Sequence, residues 1–361
     1  MSLKLGIDAR PLEHPRNGIG RYTTQIIEQI RQRTDWRLHL FTSAHNELRM
    51  DGVEIEQVAD FLSFNAAAFQ FKLARTVERR GLDGYFSPRH HLPIGLKVPS
   101  IVTIHDMVWH KFPQTMNPAG MLLERLFMPP SIKRADAIIA VSESTAAEVV
   151  DMFPQAAART HVIYEAGSTF DGPVTVGPAP VVVPFILAVG TIEPRKNYYR
   201  LLSAFDLIAD EHSDVHLVIV GGRGWRMDVD QLLAGARHRT RVRVLDQVDD
   251  EMLQRLYYHC EFLAVPSLYE GFCLPLVEAM SFGKAVLTGQ TSAMPEIAGA
   301  AGVLVDPHDV QSIAQGLRAL LYDERLRTSK GHAAAQRSAQ FSWDLAGSQT
   351  VDLIAATVDR A

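Results

Sequence analysis

Two carboxylates eight residues apart, Glu270 and Glu278, stand in the stretch YEGFCLPLVEAM, with Cys273 and Pro275 between them. Carboxylates so placed can solubilise a surface, hold a metal, act as acid and base, or grip a polar ligand. The apolar run EFLAVP just before reads as a strand, and Pro275 suits the first turn of a helix. Glu270 then falls in a strand-to-helix loop and Glu278 in the first turn of the helix. In one continuous helix they would be separated by about 12 Å of rise, so they do not stack on one helical face. Both can instead turn toward a ligand above the strand end, with the backbone N–H groups of Phe272, Cys273 and Leu274 between them. Carboxylates accept from hydroxyls and amides bind anions, so a ligand with sugar hydroxyls and phosphate uses every one of these groups.

Other strand ends carry matching chemistry. In FILAVGTIEPRKN, Arg195 and Lys196 precede a helix expected to start near Asn197. Two cations beside a helix N-terminus suit a diphosphate; a solvated basic turn is the alternative. The first strand runs into GIDARPLEHPRNGIGRY, where Gly18 and Gly20 allow close approach of the backbone and a positive φ. No Gly-Lys-Ser/Thr follows, and neither this loop nor GGRGWRMD (221–228) has dinucleotide spacing. TIHDM puts His105 and Asp106 at the end of an apolar strand, as a ligand contact or a structural histidine, and His90-His91 follow another strand. The sequence contains no HExxH or cysteine pair, and the expected metal set is none.

These residues need strands and helices in alternation to hold them. LKLGID (3–8), RLHLFT (37–42), GYFSP (84–88), SIVTIHD (100–106) and AIIAVS (137–142) read as strands, with helical spacing at 20–33 and 145–153. A segment with three glycines and four prolines, 167–184, then reads as a linker. The alternation restarts with FILAVG (185–190), VHLVIVGG (215–222), RVRVLD (241–246), CEFLAVPS (260–267) and KAVLTG (284–289). The expected fold is therefore α/β, with two Rossmann-like doubly wound domains facing a cleft, whose ligands sit at strand carboxyl ends. The expected bounds are 1–168, 182–340 and a C-terminal helix, 341–361, crossing back to the first domain.

At 361 residues the chain is long enough for two such cores. Its net charge of −5 is unevenly spread, +1 over residues 1–165 and −6 over the rest, and nothing in it demands nucleic acid. Two cysteines, no secretory leader and no long apolar run point to a cytoplasmic protein. The segment 61–80 is apolar early and basic late, reading either as a core helix with a solvated end or as a membrane-surface helix.

Together, PSLYEGFCLPLVEAMSFGKAVLT, ILAVGTIEPRKN, LYYHCEFLAVPS and TSAMPEIAGAAGVLVDP resemble the signature of retaining, nucleotide-sugar-dependent glycosyltransferases of GT-B architecture, glycosyltransferase family 4. GIDARP…NGIGRY, TIHDM and RADAIIAVSESTAAEV extend the resemblance over nearly the whole chain. It implies that Arg195 and Lys196 neutralise the donor diphosphate, that Glu278 accepts from the ribose, and that Glu270 holds the donor sugar beside the Phe272–Leu274 backbone. It also implies that His105 lies by the transferred sugar, that Gly18 and Gly20 let a loop close on the phosphates, and that LDQVDD, including Val248, passes near the base. Two departures stand out: Thr191 where many members have arginine, and Gln247 where a glycine is common. The pattern is similar to mannosyl- and rhamnosyltransferases of bacterial surface polysaccharide assembly. It implies a nucleotide-sugar donor, GDP-mannose first, as co-substrate, with no other cofactor. The acceptor would be a glycan or lipid-linked glycan, with peripheral contact with the inner membrane. A UDP-hexose transferase, a sugar-nucleotide epimerase and a non-catalytic sugar-nucleotide-binding protein are the rival readings.

Overall fold

The structure, a computed structural model, describes residues 2–15, 17–42, 50, 52–58, 66–167, 177–211 and 214–360, without the side chains of 66–69. Much of the expected linker and the start of the 61–80 segment lie outside the described residues. The chain forms two units. The first comprises Met1–Trp109, Pro118–Glu165 and Ser342–Ala361; the second comprises His110–Asn117 and Ala166–Phe341.

In unit 1, among the described residues, seven parallel strands form one sheet: β1 (Lys4–Asp8), β2 (Arg37–Thr42), β3 (Glu54–Gln57), β4 (Gly84–Ser87), β5 (Ser100–Ile104), β6 (Ala137–Ala140) and β7 (Thr160–Val162). Their order is β3-β2-β1-β4-β5-β6-β7. The inner strands β4, β5 and β6 are mostly apolar and buried along their whole length, as a sheet covered on both faces requires. β3 and β7 escape the sequence pattern because each is a short edge strand with exposed positions. The helix Trp343–Val358 packs on the helix Gly18–Arg33, where a Cβ at Gly347 would stand 2.4 Å from that of Gln29. Its far end covers β4, with the Val358 methyl 2.7 Å from where a Gly84 Cβ would be. Two glycines thus permit the close approach that seats this helix.

In unit 2, six parallel strands follow: β8 (Phe185–Val189), β9 (His216–Val220), β10 (Val242–Leu245), β11 (Leu263–Val265), β12 (Val286–Gly289) and β13 (Gly302–Val305), in the order β10-β9-β8-β11-β12-β13. Phe205, Leu217, Leu287 and Leu317 lie at the heart of its core. An unbroken N-terminal domain was the expectation, but residues 110–117 belong to unit 2. The Phe112 ring lies 5.4 Å from that of Tyr269, and Trp225 Nε1 donates to the Thr115 carbonyl at 2.5 Å. Aromatic packing here outweighs adjacency along the chain.

Two glycine-rich loops bring backbone segments into close contact. Gly18 and Gly20 form the first turn of the helix Gly18–Arg33 and neither has a positive φ. Gly20 is required because a Cβ there would sit 2.2 Å from the His14 carbonyl oxygen. The glycines of GGRGWRMD serve backbone packing: a Cβ at Gly221 would stand 2.0 Å from Gly190 O, and one at Gly224 2.6 Å from Ile192 O. Gly221→Ala should therefore destabilise unit 2 by roughly 1–3 kcal/mol, the usual cost of overpacking. Gly235→Ala, whose nearest neighbour would be 3.7 Å away, should be close to neutral. Urea unfolding midpoints of the two variants check this; equal midpoints contradict it.

Candidate active site

The order of the unit 2 sheet reverses between β8 and β11, since the chain builds outward from β8 to β10 and then returns to β11. In open α/β sheets ligands bind at the carboxyl ends of the strands that flank such a reversal. Arg195 and Lys196 follow β8, and Glu270 follows β11.

Local sequence explains how each loop is held. Pro194–Lys196 forms a 3₁₀ turn, after which Asn197 takes a left-handed conformation, φ 64°, before the helix Tyr198–Ala209. The cations thus precede the helix by a kink rather than leading straight into it. Asn197 tolerates this backbone better than most residues. Its side-chain amide donates to the carbonyls of Pro266 at 2.9 Å and Pro307 at 2.7 Å. Leu268 N donates to Arg195 O at 2.9 Å, so the two loops are joined through their backbones as well. On the β11 side, Cys273 is left-handed at φ 78° and starts the helix Leu274–Ser281, with Pro275 in its first turn. Glu278 therefore stands in the second turn of that helix, one turn later than the sequence suggests. The N-terminus of this helix adjoins the Phe272–Leu274 stretch.

The side chains form a compact charge cluster. Glu270, 5% exposed, accepts from Arg195 Nη1 through Oε2 and from Lys196 Nζ through Oε1, both at 2.6 Å. Arg195 Nη1 also donates to Tyr269 O at 2.8 Å, and its Nη2 pairs with Glu193 Oε1 at 2.6 Å. Burial pushes the Glu270 pKa up, but the two facing cations pull it further down, to about 2. At Glu193 burial prevails over Arg195 and Lys196, and Glu270 adds repulsion, so its pKa is raised. The Cys273 thiol is pushed up to about 12 by burial and by Glu270, and stays protonated. Glu270 N donates to Ser292 Oγ at 2.9 Å, which fixes the loop that carries the carboxylate. Gly190, with φ 148°, is where the Lys196 stem crosses β8; a Cβ would meet Cε at 3.1 Å.

Sequence reading placed the cations on a phosphate and Glu270 on a sugar; the structure shows the three also grip one another. Glu278 is buried and accepts from the Tyr257 hydroxyl at 2.6 Å. Tyr257, Glu193, Asn197 and Ser292 were missed, because their value lies in contacts between distant loops. Val248 lies partly exposed in the loop after the edge strand β10, and the Gln247 side chain covers Gly222. His105 and the Gly18–Gly20 turn belong to unit 1. His105 has both ring nitrogens engaged there, Nδ1 with Glu165 Oε1 at 2.7 Å and Nε2 with Pro88 O at 2.9 Å. Among the described residues no group of three His, Cys, Asp or Glu side chains is placed to hold a metal, and no helix is long and apolar enough to cross a membrane.

Two doubly wound units, with a basic and acidic cluster at the switch point of the second, are the architecture of GT-B glycosyltransferases. Residues 16–166 match the model of Glycosyltransferase Family 4, and residues 178–337 match that of Glycosyl transferases group 1. Between them the two matches span most of the chain, which has the GT-B glycosyltransferase family 4/group 1 fold. It is 29% identical to the O-antigen chain mannosyltransferase B of Escherichia coli, over 97% of this chain and 99% of that one. Its fold matches sucrose-phosphate synthase from Thermosynechococcus elongatus with a TM-score of 0.81, 19% identity and full coverage of both chains. WaaG, a glycosyltransferase involved in lipopolysaccharide biosynthesis, matches with a TM-score of 0.77 and 16% identity over 98% of this chain and 99% of that one.

The charge cluster has a pH signature. Glu270 titrates in the folded protein at about 2, below its ordinary 4.5, so its contribution is present above about pH 4.5 and is lost as pH falls toward 2. Wild type should exceed Glu270→Gln by roughly 3 kcal/mol at neutral pH, and the gap should shrink steadily below about pH 4.5. Urea unfolding of both proteins across this range measures it. A gap that stays constant down to about pH 3 contradicts the pairing.

Proposed function

We propose that this chain transfers mannose from GDP-mannose to a lipid-linked glycan, with retention of anomeric configuration, in synthesis of an O-antigen-type surface polysaccharide. The observation that carries the chemistry is the Arg195–Glu270–Lys196 cluster, a buried carboxylate between two half-buried cations, at the switch between β8 and β11. The end-to-end likeness to an O-antigen chain mannosyltransferase supports the sugar and the pathway.

In this reading the donor diphosphate lies against Arg195 and Lys196. As the sugar–phosphate bond breaks, negative charge builds on the departing oxygen while the sugar becomes cationic. Two cations already held in place stabilise that charge more in the transition state than in the ground state, which is the requirement for catalysis. They carry the role without a metal ion. Glu270 orients both cations and offers its remaining lone pairs to sugar hydroxyls. Glu278, held by Tyr257, accepts from the ribose. The acceptor hydroxyl attacks from the leaving-group face and passes its proton to the departing phosphate. His105 can serve the sugar only by giving up its contact with Pro88 O, while Glu165 fixes the ring. The reaction takes place at the cytoplasmic face of the inner membrane, where the chain is a peripheral visitor.

A panel of nucleotide sugars scored by thermal shift tests the donor. GDP-mannose should stabilise most, and a clear preference for UDP- or ADP-sugars overturns the assignment. Lys196→Ala should lower kcat by about 10²–10³ at saturating donor, the usual loss for one preorganised charge donor. Arg195→Lys should recover only part of the activity lost in Arg195→Ala, because an ammonium cannot reproduce the guanidinium fork. EDTA should leave the wild-type rate unchanged; loss with EDTA and rescue by magnesium would assign the leaving charge to a metal. Glu278→Gln should weaken binding of free GDP, measured by calorimetry.

A further inference from the structure

Unit 1 has a switch point of its own, between β1 and β4, and a polar cluster stands there that the proposed chemistry does not use. Asp8 ends β1 and Arg10 follows it; Tyr85 lies in β4, with Arg89 and His90 just beyond. Several of these charges are matched. Arg10 forks onto Asp8, Nε to Oδ1 at 2.8 Å and Nη2 to Oδ2 at 2.5 Å. Glu124, on the helix Pro118–Arg134, faces His90 Nδ1 at 3.2 Å and His91 Nε2 at 2.9 Å.

Three groups are left over. The Arg89 guanidinium makes no hydrogen bond or ion pair with any described residue, although it is near Arg10, Asp8 and Glu124. The Tyr85 hydroxyl and His90 Nε2 are buried without a protein partner, on residues 0% and 7% exposed. All three present donors. Arginine stays charged even though burial and Arg10 lower its pKa. Burial raises Tyr85 well above its ordinary range, so its hydroxyl keeps its proton. Glu124 outweighs burial at His90 and raises its pKa, which favours a proton on both ring nitrogens. A half-buried guanidinium that no carboxylate meets within hydrogen-bonding distance is poorly compensated, and two buried donors without acceptors add to that cost. One ligand that brings negative charge and several acceptor oxygens would relieve all of it, at the place where an open parallel sheet receives ligands.

We propose that Arg89, His90 and Tyr85 form an anion site at the switch point of unit 1, taking a phosphate or carboxylate group carried by the glycan acceptor. The link to the acceptor rests on the transfer reading above; the anion site itself does not. A guanidinium fork suits either oxyanion, so the probes separate the two sources.

Thermal shift and calorimetry on the full chain, with inorganic phosphate, glucuronate and uncharged mannose as probes, test the site. Phosphate or glucuronate should raise the melting temperature of wild type and of Lys196→Ala, and mannose should not. The stronger of the two anions identifies the group. Arg89→Gln should weaken that anion at least tenfold, and Tyr85→Phe should weaken it less. Ligand-free Arg89→Gln should melt no lower than wild type, because the guanidinium it removes makes no hydrogen bond or ion pair with a described residue, so loss of binding there is not loss of fold. A response that disappears in Lys196→Ala but persists in Arg89→Gln places the anion at the unit 2 cations and overturns the proposal. So does the absence of any response in wild type, which leaves water as the partner of these groups.

Discussion

One buried carboxylate held between two cations organises unit 2. Glu270 comes from the loop after β11, whereas Arg195 and Lys196 come from the loop after β8, 74 and more residues earlier in the chain. Neither side is stable alone in such a position. A buried carboxylate without cations would be driven toward protonation, and the two half-buried cations without it would keep only Glu193, on Arg195, as a paired carboxylate. The Asn197 side-chain amide, donating to Pro266 O and Pro307 O, and the Leu268 N–H, donating to Arg195 O, hold the two loops together beside the charge pairing.

The same place carries local strain. Of the four non-glycine residues with positive φ among those described, Asn197, Cys273 and Ser292 all border this cluster; only Arg226 lies elsewhere. Left-handed conformations of such residues cost on the order of 1–3 kcal/mol each and persist only where their surroundings over-determine them. Here the surroundings do so: Asn197 is tied by two carbonyls, Ser292 Oγ accepts from Glu270 N, and Cys273 leads into a helix anchored by buried Leu276 and Val277. The strain bends both loops sharply enough to bring charges from two strand ends into one crevice. Glycosyl transfer from a nucleotide sugar needs that rigidity, since electrostatic help at a leaving group depends on charges that do not have to be rearranged during the reaction.

The two units use one architecture differently. Each reverses its strand order next to its first strand, and each gathers polar side chains at that reversal. In unit 2 the charges close on one another. In unit 1 Asp8–Arg10 and Glu124 with its two histidines are matched, while the Arg89 guanidinium, the Tyr85 hydroxyl and His90 Nε2 are not. A self-neutralised cluster is suited to a ligand that exchanges with internal partners, and an unbalanced one to a ligand that supplies the missing charge.

Periodicity made the sheets legible. RLHLFT and KAVLTG carry the apolar pattern of strands buried on both faces, and β2 spans the first of them from end to end, while β12 begins two residues into the second. The short edge strands β3 and β7 were not legible, because an edge buries too little to imprint a pattern. The site was legible as residue types at strand ends: Arg195, Lys196, Glu270 and Glu278 each stand beside a strand or helix whose limits the sequence marks. Their partners were not. That Glu270 binds Arg195 and Lys196, that Glu278 meets Tyr257, and that Gly221 exists to clear Gly190 O are facts about segments far apart in the chain. The sequence by itself determined the elements and the chemistry available at their ends, because both follow from local spacing and side-chain type. Only the tertiary structure decided which charges neutralise one another and which, like Arg89, are left for a ligand, because burial and distance arise only when the strand ends are brought together.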